Sequence, residues 1–305
     1  MNGKLYFFFA VLRSLQIALS MIQLSKIILI LGLQMSKERQ KLGLVLEGGG
    51  VKGAYQIGAL MAIRELMVDF DGVAGTSIGA INGAIYLEGG YSKLFDVWNE
   101  IRTNTVFDLS DEELAELNGL DLRPAILRIL AEKKLNTFKM LESSYQKSQK
   151  FFETIVNEDD IRASGKDFGL VAFNISDMQP FEKMMSEIDE GKLVDYIIAS
   201  ATFPIFPPKV IDEKKYIDGG VYDNMPINLL TRHGYDKMLV IRTNVESKQP
   251  KRKVEGNPNL FYIIPKEDLG PAMAFSKTRI RAYMQMGYDD TKELMQNGLS
   301  EFLLG

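Results

Sequence analysis

Residues 42–60, LGLVLEGGGVKGAYQIGAL, pass from a short apolar run straight into three glycines and then into a helix-forming stretch. That succession reads as a buried strand, a tight turn and a helix. Gly48-Gly49-Gly50-Val51-Lys52-Gly53 fits G-x-G-x-x-G, whose backbone N–H groups converge on an anion at a helix N-terminus. Two anions are open at this point. A dinucleotide pyrophosphate asks for an acidic residue about 20 positions on to hold ribose, and Asp69 and Asp71 lie near that distance. A tetrahedral oxyanion asks instead for a nucleophile close by.

The rest of the chain continues the alternation of strand and helix. Val73-Ala74-Gly75 is a short strand that leads through Thr76-Ser77-Ile78-Gly79 into a helix, AINGAIYLEGG. GLVAFNIS (169–176) and FEKMMS (181–186) read as a hairpin or two adjacent strands. VDYIIASATF is a helix stopped by the prolines at 204, 207 and 208. KVI and YIDGG flank a turn at DEKK, KMLVIRTN (237–244) is a buried strand, and Pro271 to Leu304 is a helical tail. The expected fold class is α/β: a three-layer α/β/α sandwich with a mostly parallel central sheet. One domain is expected over 41–305, with the charge-rich, helical residues 92–163 as an insertion or cover. At 305 residues and 46% hydrophobic, the chain has material for a sizeable core.

Composition removes several kinds of chemistry. There is no cysteine, hence no disulfide, thiolate nucleophile or Cys-based metal site. His233 is the single histidine, which excludes a histidine-rich metal site; no metal and no cofactor are expected. The net charge of −4 gives no support to a nucleic-acid partner. The basic run Lys248-Gln249-Pro250-Lys251-Arg252-Lys253 reads as a solvated loop, with contact to lipid head groups or a partner as its alternative.

Residues 1–35 are a different material, strongly apolar but interrupted by Arg13 and Lys26. No apolar run reaches the roughly 18–20 residues a bilayer span needs, and Arg13 breaks a signal-peptide pattern early. Arg13, Gln16, Ser20, Gln23 and Lys26 recur at spacings of three and four, as in an amphipathic helix lying in a membrane interface. A start at Met35 explains the segment equally well. The expected location is cytoplasmic in a bacterium, with peripheral membrane association under the first of these readings.

Gly75-Thr76-Ser77-Ile78-Gly79 is G-x-S-x-G at a strand-to-helix junction, the setting of a nucleophile elbow. Helix capping by Thr76 or Ser77 is the plainer alternative. A serine nucleophile needs a base. His233 stands in LLTRHGYDK just before Gly234, where a helix-terminal histidine interacts with the helix dipole without any catalytic role. A histidine-dependent α/β-hydrolase remains the alternative built on it. Asp218 ends the strand KYI and precedes Gly219-Gly220, which permit close backbone approach, although Asp-Gly-Gly is also an ordinary turn. The serine elbow favours the oxyanion over the pyrophosphate as the guest of the glycine loop, and so disfavours a dinucleotide-dependent oxidoreductase.

In this order, GGGVKG, GTSIG and DGG resemble the patatin-like phospholipase family. The resemblance extends through SATFPIFPPKVI before the aspartate and GGVYDNMPINLL after it, and covers roughly residues 41–245. It implies a Ser–Asp dyad without histidine: Ser77 as nucleophile, Asp218 as base, and the Gly49–Val51 amides as oxyanion hole. Lys52 would orient the loop or an anionic head group. The implied reaction is hydrolysis of a fatty-acyl ester of a phospholipid, lysophospholipid or glyceride. Phe107, Leu109, Phe138 and Met140 are candidates for a lipid-facing surface, or else core residues.

Overall fold

The computed structural model describes residues 40–102, 135–245, 252–273 and 275–305, with side chains from residue 142 onward in the second stretch. Residues 1–35, the start of the basic run, and Phe107 and Leu109 lie outside the described residues, as do the side chains of Phe138 and Met140. Of that run, Arg252 is paired with Glu182 and Asp223.

The chain builds an eight-stranded sheet. β1 (Leu42–Leu46), β2 (Gly72–Thr76), β3 (Asp167–Asn174), β7 (Lys237–Ile241) and β8 (Asn259–Ile263) run parallel, in the spatial order β3-β2-β1-β7-β8. β4 (Gln179–Met184) and β6 (Lys214–Asp218) pair antiparallel with β3, and β5 (Lys209–Ile211) pairs antiparallel with β6. Both hairpins form where the sequence places them. β8 is a strand that the sequence pattern does not announce.

Helices cover both faces, giving the expected mostly parallel α/β sandwich. α1 (Gly53–Arg64) follows β1, and α2 (Ile78–Glu100) follows β2 and bends at Gly90, where φ is 64°. α3 (Leu135–Ile155) and α4 (Glu158–Ala163) lead into β3. α5 (Leu193–Ser200) and α6 (Ile227–Arg232) come later, and the tail forms α7 (Lys277–Leu294) and α8 (Ser300–Leu304). The tail is helical but interrupted at Asn297 and Gly298.

Alternation along the strands divides the core. Leu44, Leu46, Val73, Leu239 and Ile241 pack with α1, α2, α5 and α7 on one face, whereas Val45, Ala74, Met238 and Val240 meet Ile227, Leu229 and Leu230 of α6 on the other. Strands buried on both faces read as continuous apolar runs, which is why β1 and β7 are legible. α1 and α7 touch backbone to backbone: a Cβ on Gly287 would lie 2.0 Å from the Tyr55 carbonyl oxygen. No helix among the described residues is long and apolar enough to cross a membrane.

Candidate active site

β2 and β6 end against each other on one edge of β3. Thr76 of β2 pairs with Val171, and Asp218 of β6 pairs with the next residue, Ala172. The two strands approach from opposite directions, so Ser77, one residue past β2, meets Asp218 at the seam. The Ser77 hydroxyl donates to Asp218 Oδ2 at 2.5 Å.

Ser77 holds φ 57° and ψ −127°, a positive-φ conformation sparsely populated by residues other than glycine. It occupies the N-cap position of α2, but its side chain caps nothing, and Thr76 donates its hydroxyl to the Asp223 carbonyl. The capping alternative therefore does not describe either residue. The turn leaves no space for side chains on its flanks. A Cβ on Gly75 would lie 2.3 Å from Gly79, and one on Gly79 would lie 2.2 Å from the Leu46 carbonyl oxygen. The Ser77 N–H donates to Ser200 Oγ at 3.0 Å.

Asp218 is 6% exposed, and burial pushes its carboxyl up to about 6. Hydrogen bonds from the Ser77 hydroxyl and from the Gly220 N–H, the latter 2.7 Å from Oδ1, act in the opposite direction. The carboxyl is thus predominantly ionised at neutral pH, poised close to it, and oriented at both oxygens. Gly219 turns the chain against β3, where a Cβ would lie 2.1 Å from the Val171 carbonyl oxygen.

The glycine loop lies beside this pair. Its amides are not equivalent. Gly48 N–H donates to the Asn224 carbonyl, Val51 N–H to the Ala272 carbonyl at 2.7 Å, and Lys52 N–H to the Gly49 carbonyl. Gly53 N–H bonds back to Gly50 and Val51. Among the described residues, the Gly49 and Gly50 amides have no acceptor. Of the three amides that the sequence suggests, Gly49, Gly50 and Val51, the last already gives its N–H to a distant carbonyl. Lys52 Nζ donates to Asn244 Oδ1 at 2.8 Å.

Ser77, Asp218, Gly48, Gly49, Gly50, Lys52 and Gly220 line one cavity of about 360 Å³. Its wall is otherwise largely apolar, with Ile81, Phe152, Ile198, Phe206, Met273 and Phe275. A hydroxyl, a carboxylate and a glycine loop with two open amides thus share one largely apolar chamber, a composition suited to an ester.

His233 takes no part in this arrangement. Its Nδ1 donates to the Leu229 carbonyl at 2.8 Å, its Nε2 lies 3.9 Å from Glu187, and it does not line the cavity. The acidic residues of the dinucleotide alternative are also engaged elsewhere: Asp71 accepts from the Leu42 N–H, and Asp69 from Tyr86 and Lys166.

Sequence reasoning missed Glu47, Ser200, Thr202 and Asn244. Buried Glu47 joins the start of the glycine loop to the end of β7, accepting from Arg242, from the Thr243 N–H at 2.7 Å and from Asn244. An acidic residue placed directly before GGG, inside an apolar strand, was the available signal.

Known proteins resemble this chain over the same segment. The profile of the patatin-like phospholipase family matches residues 44–231. The chain is 24% identical over 210 residues to Lysophospholipase nte1 of Aspergillus terreus, covering 66% of this chain and 12% of that protein. It is 24% identical over 226 residues to an uncharacterized NTE family protein of Mycobacterium bovis, covering 71% of this chain and 53% of the other. The chain therefore spans between an eighth and about half of the length of these relatives. Among solved structures, VipD from Legionella pneumophila superposes with a TM-score of 0.54 at 13% identity, over 85% of this chain and 67% of VipD, a likeness of fold. With the profile spanning more than half of its residues, the chain belongs to the patatin-like phospholipase family.

Proposed function

We propose that this protein is a lipid acyl hydrolase that works through a Ser77–Asp218 dyad. The observation that carries the reading is the 2.5 Å hydrogen bond from the Ser77 hydroxyl to the Asp218 carboxylate, inside an apolar cavity. Asp218 would take the Ser77 proton as Oγ bonds to the ester carbonyl carbon. The negative charge that develops on the carbonyl oxygen would be met by the Gly49 and Gly50 amides and the positive end of α1, groups already oriented before the reaction. The C–O bond to the alcohol would then break, with the proton passing from Asp218 to the departing oxygen. Water, giving a proton to Asp218, would attack the acyl-serine; the bond from the acyl carbon to Ser77 Oγ would break as Asp218 returns that proton to Oγ, and the fatty acid would leave.

The acyl chain would lie against Ile81, Phe152 and Phe206, and Lys52 would face an anionic head group or hold the loop through Asn244. Phospholipids, lysophospholipids and glycerides are the substrate classes in view, in keeping with the family. Residues 41–305 would form the hydrolase domain, and the helices within 92–163 would form its cover.

Fluorophosphonate labelling tests this. Wild type is expected to become covalently labelled, and Ser77→Ala and Asp218→Ala to lose both labelling and ester turnover. Labelling that survives Ser77→Ala would sink the reading.

A further inference from the structure

We propose that the C-terminal turn of α5 is a two-point template that sets the separation of Ser77 and Asp218, with Ser200 as a positioning residue for the nucleophile. This rests on the Ser77–Asp218 reading of the site.

The seam on β3 creates a local problem. Val171 is the last β3 residue paired with β2, and the next, Ala172, is already paired with Asp218 of β6. Ser77 therefore has no position left on the ladder, and its positive φ turns it away from the sheet. An N–H turned away from solvent without an acceptor is costly. Ser200, fully buried at the end of α5, supplies that acceptor. Its own hydroxyl proton goes to the Val171 carbonyl at 2.6 Å. The hydroxyl is thereby spliced between the nucleophile's amide and the strand that both β2 and β6 border.

Two residues later the same turn grips the other partner. The Asp218 N–H donates to the Thr202 carbonyl at 2.8 Å. Thr202 is itself fixed by its hydroxyl donating to the Ile198 carbonyl at 2.8 Å and its N–H donating to the Ala199 carbonyl. One helical turn thus holds the serine by a side chain and the aspartate by a backbone carbonyl. Neither hold touches the reacting atoms, so the turn acts through geometry.

Removing the Ser200 hydroxyl releases Ser77 from the frame that carries Asp218 and leaves the apolar wall intact. A misplacement of about 1 Å costs roughly 100-fold in rate. Ser200→Ala is therefore expected to lower kcat and the fluorophosphonate labelling rate together, by about 30- to 100-fold, with KM on a soluble short-chain ester within about two-fold. A second readout separates positioning from loss of fold. Weakening the Ser77 hydrogen bond removes an influence that lowers the Asp218 pKa, so the acid limb of the pH–rate profile should move to higher pH. The other titratable side chains lining the cavity are Lys52 and Tyr145. Thr231→Val, which removes a hydroxyl bonded to the Ile227 carbonyl on α6, away from the cavity, serves as the stability control.

Wild-type kcat, labelling rate and acid limb in a folded Ser200→Ala would overturn the proposal while leaving the dyad standing. Should that variant not fold, Ser200→Cys, whose larger thiol is a weak donor and a weak acceptor, carries the same comparison, and unchanged kcat again overturns it. Absence of labelling in wild type would instead remove the dyad reading itself.

Discussion

The Glu47 carboxylate accepts from Arg242 Nε and Nη2, each at 3.3 Å, with both side chains almost wholly buried. This pair stands directly behind the glycine loop and ties it to the end of β7. Removing one member takes from the other its charged partner in a buried setting, a loss that costs about 3–5 kcal/mol. Glu47→Ala is expected to lower the midpoint of thermal unfolding by about 10 °C or more and to reduce labelling in the fraction that folds. Glu47→Gln, which retains one acceptor oxygen, should fall between. Differential scanning calorimetry with parallel labelling measures both.

The pH dependence follows from Asp218. Its carboxyl must be ionised to take the serine proton, and burial lifts it to about 6. Hydrolysis is therefore expected to rise with pH through a midpoint near 6 and to be lost below it. Stability runs the other way. A carboxyl with a raised folded-state pKa contributes stability that is full below its ordinary value of 3.8 and is lost as pH rises through about 6. Asp218→Asn should be inactive yet more stable than wild type at about pH 7 to 8, by up to about 3 kcal/mol, with the difference shrinking near pH 4. Urea unfolding of the two proteins at about pH 4 and about pH 7.5 decides the point.

His233 offers the sharpest contrast with histidine-dependent hydrolases. Because it closes α6 on the Leu229 carbonyl, His233→Ala is expected to keep turnover within about two-fold of wild type. A drop of several hundred-fold would return histidine to the mechanism.

The cavity should discriminate by chain length. Ile81 lines it, and Ile81→Trp would place a larger ring in the space available to an acyl chain. Hydrolysis of a long-chain ester is expected to fall by roughly ten-fold or more relative to an acetate ester, at a stability cost of about 1–3 kcal/mol. Equal losses on both substrates would place the chain elsewhere.

What could be read in advance divides along physical lines. β1, β7 and the tight turn at Ser77 announce themselves because strands buried on both faces and turns without room for side chains leave compositional traces. Asp218 is legible because two glycines follow it. β8 leaves no such trace: of Asn259–Ile263 only the last residue is fully buried, and the segment lies on an edge. The Val51 amide reads as part of the oxyanion hole because nothing local competes for it; its acceptor, Ala272, stands far along the chain. Ser200 and Glu47 escape notice for the same reason, since their partners are fixed by strand pairing and not by neighbours in sequence.

The meeting of β2 and β6 on β3 makes the Ser77–Asp218 contact a reporter of sheet register. A strand advances about 3.3 Å per residue and alternates faces, so a slip of β6 by one position would carry Asp218 out of reach and turn it to the opposite face. The exposed stretch from Asp189 to Gly191, between β4 and α5, is under no such restriction, because its length does not enter the distance between Ser77 and Asp218. Insertions should therefore be tolerated there and refused within β2, β3 and β6. On the proposed mechanism, activity would be a sensitive assay of whether the sheet has closed in its correct alignment.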